Sequence, residues 1–269
     1  MEMQERDDLL AKVLPALSTQ LRYALGNLHL AAASLVPAER REQDAQLDAQ
    51  AAVLDQSFYQ LLRIANNLSA AAYLSESDTL PLRDCDIVEL VRGICLQSSS
   101  LAEQIGVKLS FSCGKESHVC AIHRDGVEQL LFQLLSNAFK FTPRGGSVSV
   151  ELVVSDHQVR LTVSDTGCGI DPQKMADLFS ACSEEELRLP SHGVGLGLAL
   201  CRRIARGHGG TILVESRKGT RVTVAIPDRQ SGTPMVKDVP FDYTGGFNRT
   251  LLGLADALPA SAFRVRQQD

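Results

Sequence analysis

The sequence predicts an α+β protein in two parts: an N-terminal antiparallel helical hairpin followed by an α/β sandwich with helices on one face. Three observations predict it. Leu14, Leu21, Leu28 and Leu35 recur every seven residues, with Leu10, Leu17, Ala24 and Ala31 beside them. After Pro37 the pattern returns as Leu47, Leu54, Leu61 and Leu68, with Ala51, Phe58, Ala65 and Ala72. Beyond residue 83 the periodicity alternates between that of helices and that of strands.

Two heptad segments joined by a short connector read as an antiparallel helix pair over residues 1–72. A lone hairpin cannot enclose both apolar rows, so dimerisation into a four-helix bundle is expected. Pro15 should kink the first helix or end a preliminary turn. With Leu14 and Leu21 facing inward, Thr19 and His29 fall on the solvent side. Residues 73–83 carry Ser, Asp, Thr and Pro without periodicity and read as a linker.

The sandwich spans residues 84–227. Asp86 to Gln104 predicts a helix with Ile87, Leu90, Val91, Ile94 and Leu101 on one face. Strands follow at Val107–Ser112 and His118–Ile122, then a helix over Asp125–Phe141. Val148, Val150 and Leu152 alternate, as do Val159, Leu161 and Val163, whose strand ends at Asp165. Leu196–Arg206 reads as a helix, with closing strands at Thr211–Glu215 and Arg221–Ile226. Residues 228–269 form a C-terminal extension in which Arg249–Leu258 suggests a short helix. Its aromatics and leucines suit docking on the chain's own core.

Composition narrows the function. A net charge of -5 argues against broad binding to nucleic acid or anionic lipid. No apolar run reaches the ~20 residues that span a bilayer. The acidic start Met1–Asp8 is unlike a secretion signal. Seven scattered cysteines, never in a C-x-x-C pair, favour free thiols in a reducing cytoplasm over disulfides or zinc.

Three motifs in one order point to a nucleotide. Asp165, at a strand end, can accept a hydrogen bond from an exocyclic amino group, which adenine has and guanine lacks at that position. Gly167 and Gly169 let the backbone turn and approach a purine closely. Asn137 offers an amide oxygen of the hard kind that Mg²⁺ accepts, and Lys140 follows almost one turn later to neutralise phosphate. Gly193, Gly195 and Gly197 present backbone N–H groups at a helix start, where anions are favoured. The run fits neither the Rossmann fingerprint nor a Walker loop.

Over about residues 10–227 the sequence resembles the sensor histidine kinases, whose ATP-binding domain is shared with gyrase, heat-shock protein 90 and MutL-type ATPases. Leu134–Phe141 looks like the N box, Asp165–Gly169 the first glycine box and Gly193–Leu198 the second. Gly207–Thr211 and Lys218–Thr220 match the closing segments. The resemblance implies ATP and Mg²⁺ as cofactors, with Asn137 as the Mg²⁺ ligand, Lys140 on phosphate, Asp165 on adenine, the glycines in a mobile lid and Thr220 near the adenine edge.

Ser18–Leu25 resembles the phosphoacceptor box, but Thr19 stands in the place of the histidine and Gln20 in that of the acidic base. Tyr23 and Ala24 depart from the pattern as well, Gln133 replaces the leading asparagine of the N box, and the lid segment Asp171–His192 is short. Transfer to imidazole needs a nucleophilic nitrogen and an acidic neighbour, so autophosphorylation on this helix is expected to be absent. The resemblance therefore implies a cytoplasmic, homodimeric ATP-binding protein of two-component signal transduction that binds no nucleic acid. Alternatives are a non-enzymatic pseudokinase engaging a response regulator or partner kinase, and a protein-serine kinase of anti-sigma-factor type, against which the hairpin argues. With no sensory segment before residue 10, a signal is expected to enter through the hairpin, the extension or another subunit.

Overall fold

The computed structural model describes residues 2–76, 80–155, 157–171, 196–232 and 247–265, with hairpin side chains described from residue 16 to residue 71. The chain divides into two compact units, Met1–Ser77 with Leu258–Asp269, and Asp78–Ala257.

The first unit holds α1 (Glu2–Leu35), α2 (Ala38–Gln43) and α3 (Ala45–Glu76). Helix α1 continues through Pro15 rather than ending there. Pro37 precedes α2, and Asp44 starts α3 by accepting from Gln46 and Leu47 N–H at 2.9 and 3.0 Å. The inward faces differ from the heptad expectation. Helix α1 meets α3 through Ser18, Leu25 and His29, whereas Leu17, Leu21, Leu28 and Leu35 are exposed. On α3 the row of Ala51, Phe58 and Ala65 is buried while Leu54 and Leu61 are exposed. His29 is accordingly not a solvated surface residue. It stacks on Phe58 at 4.4 Å and lies 3.9 Å from Asp55. The reason is geometric: the intra-hairpin seam and the leucine stripe are separate faces of α1, and Ser18 closes against Ser69 at 2.6 Å in the seam.

Residues 258–265 complete this unit. The 3₁₀ turn Ala260–Phe263 lies against α3, with the Phe263 ring buried 5.3 Å from Tyr59. Arg41 divides its donors among Asp48 (3.0 Å), Asp55 (2.7 Å) and the Phe263 carbonyl (3.0 Å). A planar guanidinium suits this, since its donors diverge in a fixed fork. Gln56 Nε2 donates to the Leu258 carbonyl at 2.7 Å.

The second unit is built on a five-stranded sheet of order β2-β4-β5-β7-β6, with β2 and β4 parallel and the other pairs antiparallel. The strands are β2 (Lys108–Cys113), β4 (Ser147–Val154), β5 (Gln158–Asp165), β6 (Thr211–Arg217) and β7 (Gly219–Pro227). Alternation sends Val148, Val150, Leu152, Val159, Leu161, Val163, Val222 and Val224 to the core face. Helices α4 (Ile87–Gln104), α5 (Arg124–Phe141) and α6 (Leu196–Gly207) bury Val91, Leu131, Leu135 and Ile204. The opposite sheet face is largely polar apart from the exposed Leu213, with Thr162 and Thr223 hydroxyls 3.3 Å apart.

A short antiparallel ribbon pairs β1 (Arg83–Asp86) with β3 (Val119–Ile122). Asp86 then caps α4, accepting from Val88 and Glu89 N–H at 2.9 and 3.1 Å. Burial opposes ionisation of this carboxyl, but hydrogen bonds from Ser117 and from the backbone of Glu89, His118 and Val88 hold it below the usual carboxylate range. Helix α7 (Arg249–Leu254), capped by Asn248, packs on α5 and α4. Gly253 sits so close to the Phe132 ring that a Cβ there would collide with it. Thr250 Oγ1 donates to Gln97 at 3.1 Å, and Arg249 pairs with Glu128 at 3.3 Å.

Candidate functional site

The end of β5 and the C-terminal end of α5 build one connected set of groups. Asp165 Oδ1 accepts from Gly167 N–H at 2.8 Å and from Thr220 N–H at 3.1 Å. Both donors are backbone groups, so the carboxylate is fixed by the chain path rather than by flexible side chains. Its other oxygen, Oδ2, makes no hydrogen bond among the described residues. Gly219, at φ +88°, lies over the Asp165 carbonyl, where a Cβ would clash.

Gly167 is equally constrained, because a Cβ there would strike the Phe141 carbonyl at the end of α5. Cys168 N–H donates to that same carbonyl at 3.4 Å. Gly169, at φ +73°, approaches Ser216, whose hydroxyl accepts from Ile170 N–H at 2.7 Å and donates to the Gly219 carbonyl at 3.1 Å. Ser216 thereby ties the glycine turn to the β6–β7 hairpin. Sequence reasoning missed Ser216, and it left only a weak signal: it lies two residues before Lys218-Gly219-Thr220.

Asn137 and Lys140 lie on α5, whose last residue touches Gly167. Both are half-buried. The Asn137 amide makes no hydrogen bond among the described residues, which leaves its oxygen available as a ligand. Lys140 Nζ lies 5.7 Å from the Phe141 ring centroid. One turn before Asn137, the buried Gln133 packs its Oε1 where a Cβ on Gly197 would come within 3.1 Å. Gly197 therefore serves close packing of the α6 start on α5. Gly193 and Gly195 lie outside the described residues. Thr19 and Gln20 belong to the other unit, both exposed on α1, and Arg22 Nη2 donates to Thr19 Oγ1 at 3.4 Å.

Two histidines set where α5 begins. His123 Nδ1 accepts from Gly126 N–H at 3.0 Å, capping the helix. His208 Nε2 accepts from His123 N–H at 2.9 Å while its Nδ1–H donates to the Ile204 carbonyl at 2.7 Å. Burial pushes both imidazoles below their ordinary range. A second ring proton on His208 would face the His123 N–H, so this arrangement requires the neutral ring.

A carboxylate at a strand end, glycines pressed against its backbone and an unbonded asparagine on the adjoining helix make up the candidate site. Residues 122–230 match the family described as "Histidine kinase-, DNA gyrase B-, and HSP90-like ATPase". The adaptive-response sensory kinase SasA of Synechococcus sp. is 30% identical over 81% of this chain and 59% of its own length. A sensor-like histidine kinase of Rhizobium meliloti is 29% identical over 85% of this chain and 45% of its own. The histidine protein kinase DivJ of Caulobacter vibrioides is 39% identical over 44% of this chain and 20% of its own. Among solved structures, full-length ShkA in complex with AMPPNP superposes with a TM-score of 0.65 at 26% identity, covering 83% of this chain and 47% of ShkA. ThkA in complex with the response regulator TrrA shares the fold, with a TM-score of 0.55 at 19% identity over 84% of this chain and 65% of ThkA.

Residues 122–230 thus carry a domain of that ATPase type, and over most of its length the chain is similar to sensor histidine kinases. It spans less than two thirds of the curated relatives it matches, 59% at SasA. Among the described residues no helix is long and apolar enough to cross a membrane.

Proposed function

We propose that the second unit binds Mg-ATP and that α1 is not phosphorylated, making the chain an ATP-binding, histidine-kinase-like protein of two-component signal transduction. One observation carries the proposal: Asp165 has one oxygen held by Gly167 and Thr220 and the other without a protein partner among the described residues. The unbonded oxygen suits the exocyclic amino group of adenine, with Thr220 beside it at the base edge. Asn137 would hold Mg²⁺ through its amide oxygen, and Lys140, on the same face of α5, would neutralise phosphate. The ion would offset phosphate charge; the protein groups bind and orient. Gly167 and Gly169 keep the turn open to a purine, while Gly193, Gly195 and Gly197 belong to the lid in this proposal.

The exposed row of Leu21, Leu28, Leu35, Leu54 and Leu61 supports homodimerisation through a four-helix bundle. Cys85, Cys95, Cys113, Cys120 and Cys168 are free thiols, in keeping with a cytoplasmic setting. The complex of ThkA with its response regulator motivates a response regulator, or a second kinase, as partner. Exposed Thr19, paired with Arg22 and followed by Gln20, favours a second reading in which ATP acts only as a conformational effector of a pseudokinase. Calorimetric titration with ATP, with and without Mg²⁺, tests the first claim. Absence of heat at millimolar nucleotide would remove it. Incubation with labelled ATP tests the second, and acid-labile phosphate on α1 would overturn it.

A further inference from the structure

Away from the candidate nucleotide site, His118, Cys120 and Asp228 bring one ligand atom each to within 4.8 Å of one another. Asp228 comes from a distant part of the sequence, and all three are fixed by backbone. His118 and Cys120 are two residues apart along the β3 ribbon and so share a face. Asp228 follows the last residue of β7. Ala121 N–H donates to the Arg229 carbonyl at 2.7 Å, Ile87 N–H to His118 at 3.0 Å and Asp228 N–H to His157 at 3.0 Å. These bonds hold the three donors in place before any ligand arrives.

We propose that His118 Nε2, Cys120 Sγ and a carboxylate oxygen of Asp228 form a binding site for a borderline transition-metal ion of the Zn²⁺ class, with water in the fourth position. The donor set is the argument. Imidazole, thiolate and carboxylate together match Zn²⁺ in type, and their two negative charges neutralise it. Tetrahedral zinc places its ligand atoms roughly 3.3–3.7 Å apart, given bond lengths of about 2.0–2.3 Å. His118 and Asp228 stand at 2.9 Å as a hydrogen-bonded pair, so the ion replaces the shared proton and the three donors adjust by about an ångström. Binding forms one Zn–S, one Zn–N and one Zn–O bond. It releases the thiol proton to solvent, shifts His118 to its Nδ1–H tautomer and moves no electrons. Burial pushes the Cys120 thiol up to about 12, as do the nearby Asp228, Cys85, Asp84 and Asp86, so it stays protonated until a cation arrives.

A cross-strand disulfide is the competing use of Cys120, since Cys85 stands opposite it in the ladder. Ile87 N–H bonds to the directly opposite His118, which makes every second pair, Cys85 with Cys120 included, a hydrogen-bonded one. Cys120 has an imidazole nitrogen and a carboxylate oxygen within 4.8 Å of its sulfur, the partners a metal ion needs and a disulfide would leave unused.

The full chain, stripped with chelator under reductant, is titrated with Co²⁺ and then competed with Zn²⁺. One equivalent of Co²⁺ should give a thiolate-to-cobalt charge-transfer band that Zn²⁺ abolishes. Cys120→Ser should remove the band, while His118→Gln and Asp228→Asn should each weaken apparent affinity by about tenfold or more. Cys85→Ser should leave it within a few-fold. Because Cys120 is fully buried, its variant can misfold; the His118 and Asp228 variants, checked by circular dichroism, keep the test decisive. No band from the wild-type chain, or a band unchanged in His118→Gln, overturns the proposal. Nucleotide binding plays no part in this readout.

Discussion

In the proposed reading Asp165 receives adenine and Thr19 stands at the phosphoacceptor position, and their surroundings differ in kind. Asp165 is gripped by two backbone N–H groups, with Gly167 and Gly219 pressed so close that only glycine fits. Thr19 stands exposed on a helix, in reach of the long and mobile Arg22. A receptor built from backbone is specified by the fold around it. A phosphoacceptor on an exposed helical surface depends on side-chain identity alone, so substitution there removes chemistry without disturbing structure.

The largest test of that contrast is a gain of function. Thr19→His combined with Gln20→Glu restores the nitrogen and its acidic neighbour, and should convert a chain with no acid-labile phosphate into one that acquires it from ATP. Thr19→His alone should lag far behind, since the ring lacks a base. Phosphorylation of neither variant would mean that the ATP-bound unit does not reach α1 productively.

Core and stripe can be separated next. Leu135, fully buried on α5, should cost about 2–5 kcal/mol as Leu135→Ala in urea unfolding of the second unit. Leu28, 65% exposed, should leave that transition within about 0.5 kcal/mol as Leu28→Ala, yet weaken self-association in sedimentation. An unchanged association constant would remove the leucine stripe from the dimer interface.

Asp165→Asn keeps an acceptor for Gly167 and Thr220 but turns the other oxygen into a donor. Losing a charged hydrogen bond of about 1.5–3 kcal/mol predicts ATP binding weaker by roughly 10–150-fold in calorimetry, with the fold intact. The smallest expected effect is on pH. His123 and His208 have depressed folded values, so the unfolded chain takes up their protons first as pH falls. Their contribution is complete above about pH 6.5 and is lost below it. Melting temperature should therefore drop between pH 7.5 and 5.5, and His208→Gln should flatten that slope.

Helix α5 and the glycine turns are legible in the sequence because their causes are local: periodicity, caps and residues that demand an unusual backbone. Strand β1 is not, since Arg83–Asp86 has no alternation and forms only by pairing with β3. The inner face of α1 is misjudged for a related reason. Leucine spacing marks an apolar stripe but not which neighbour covers it, so Ser18 and His29 point inward where Leu21 was expected. Within the candidate site, Asp165, Gly167 and Asn137 announce themselves by type. Ser216 and the Phe141 carbonyl act across 46 and 27 positions of chain, a partnership that no local pattern carries.

Phe263 and Arg41 add a consequence in the time of synthesis. Helix α3 is complete at residue 76, but the segment that covers Tyr59 and shares Arg41 follows almost 190 residues later. At about 5–20 residues per second, the hairpin waits on the order of 10–40 s on the ribosome with that surface open. During this interval Asp48 and Asp55 have Arg41 but not the Ala260–Phe263 turn. A nascent hairpin is thus available to another nascent hairpin before residues 258–265 can close over it.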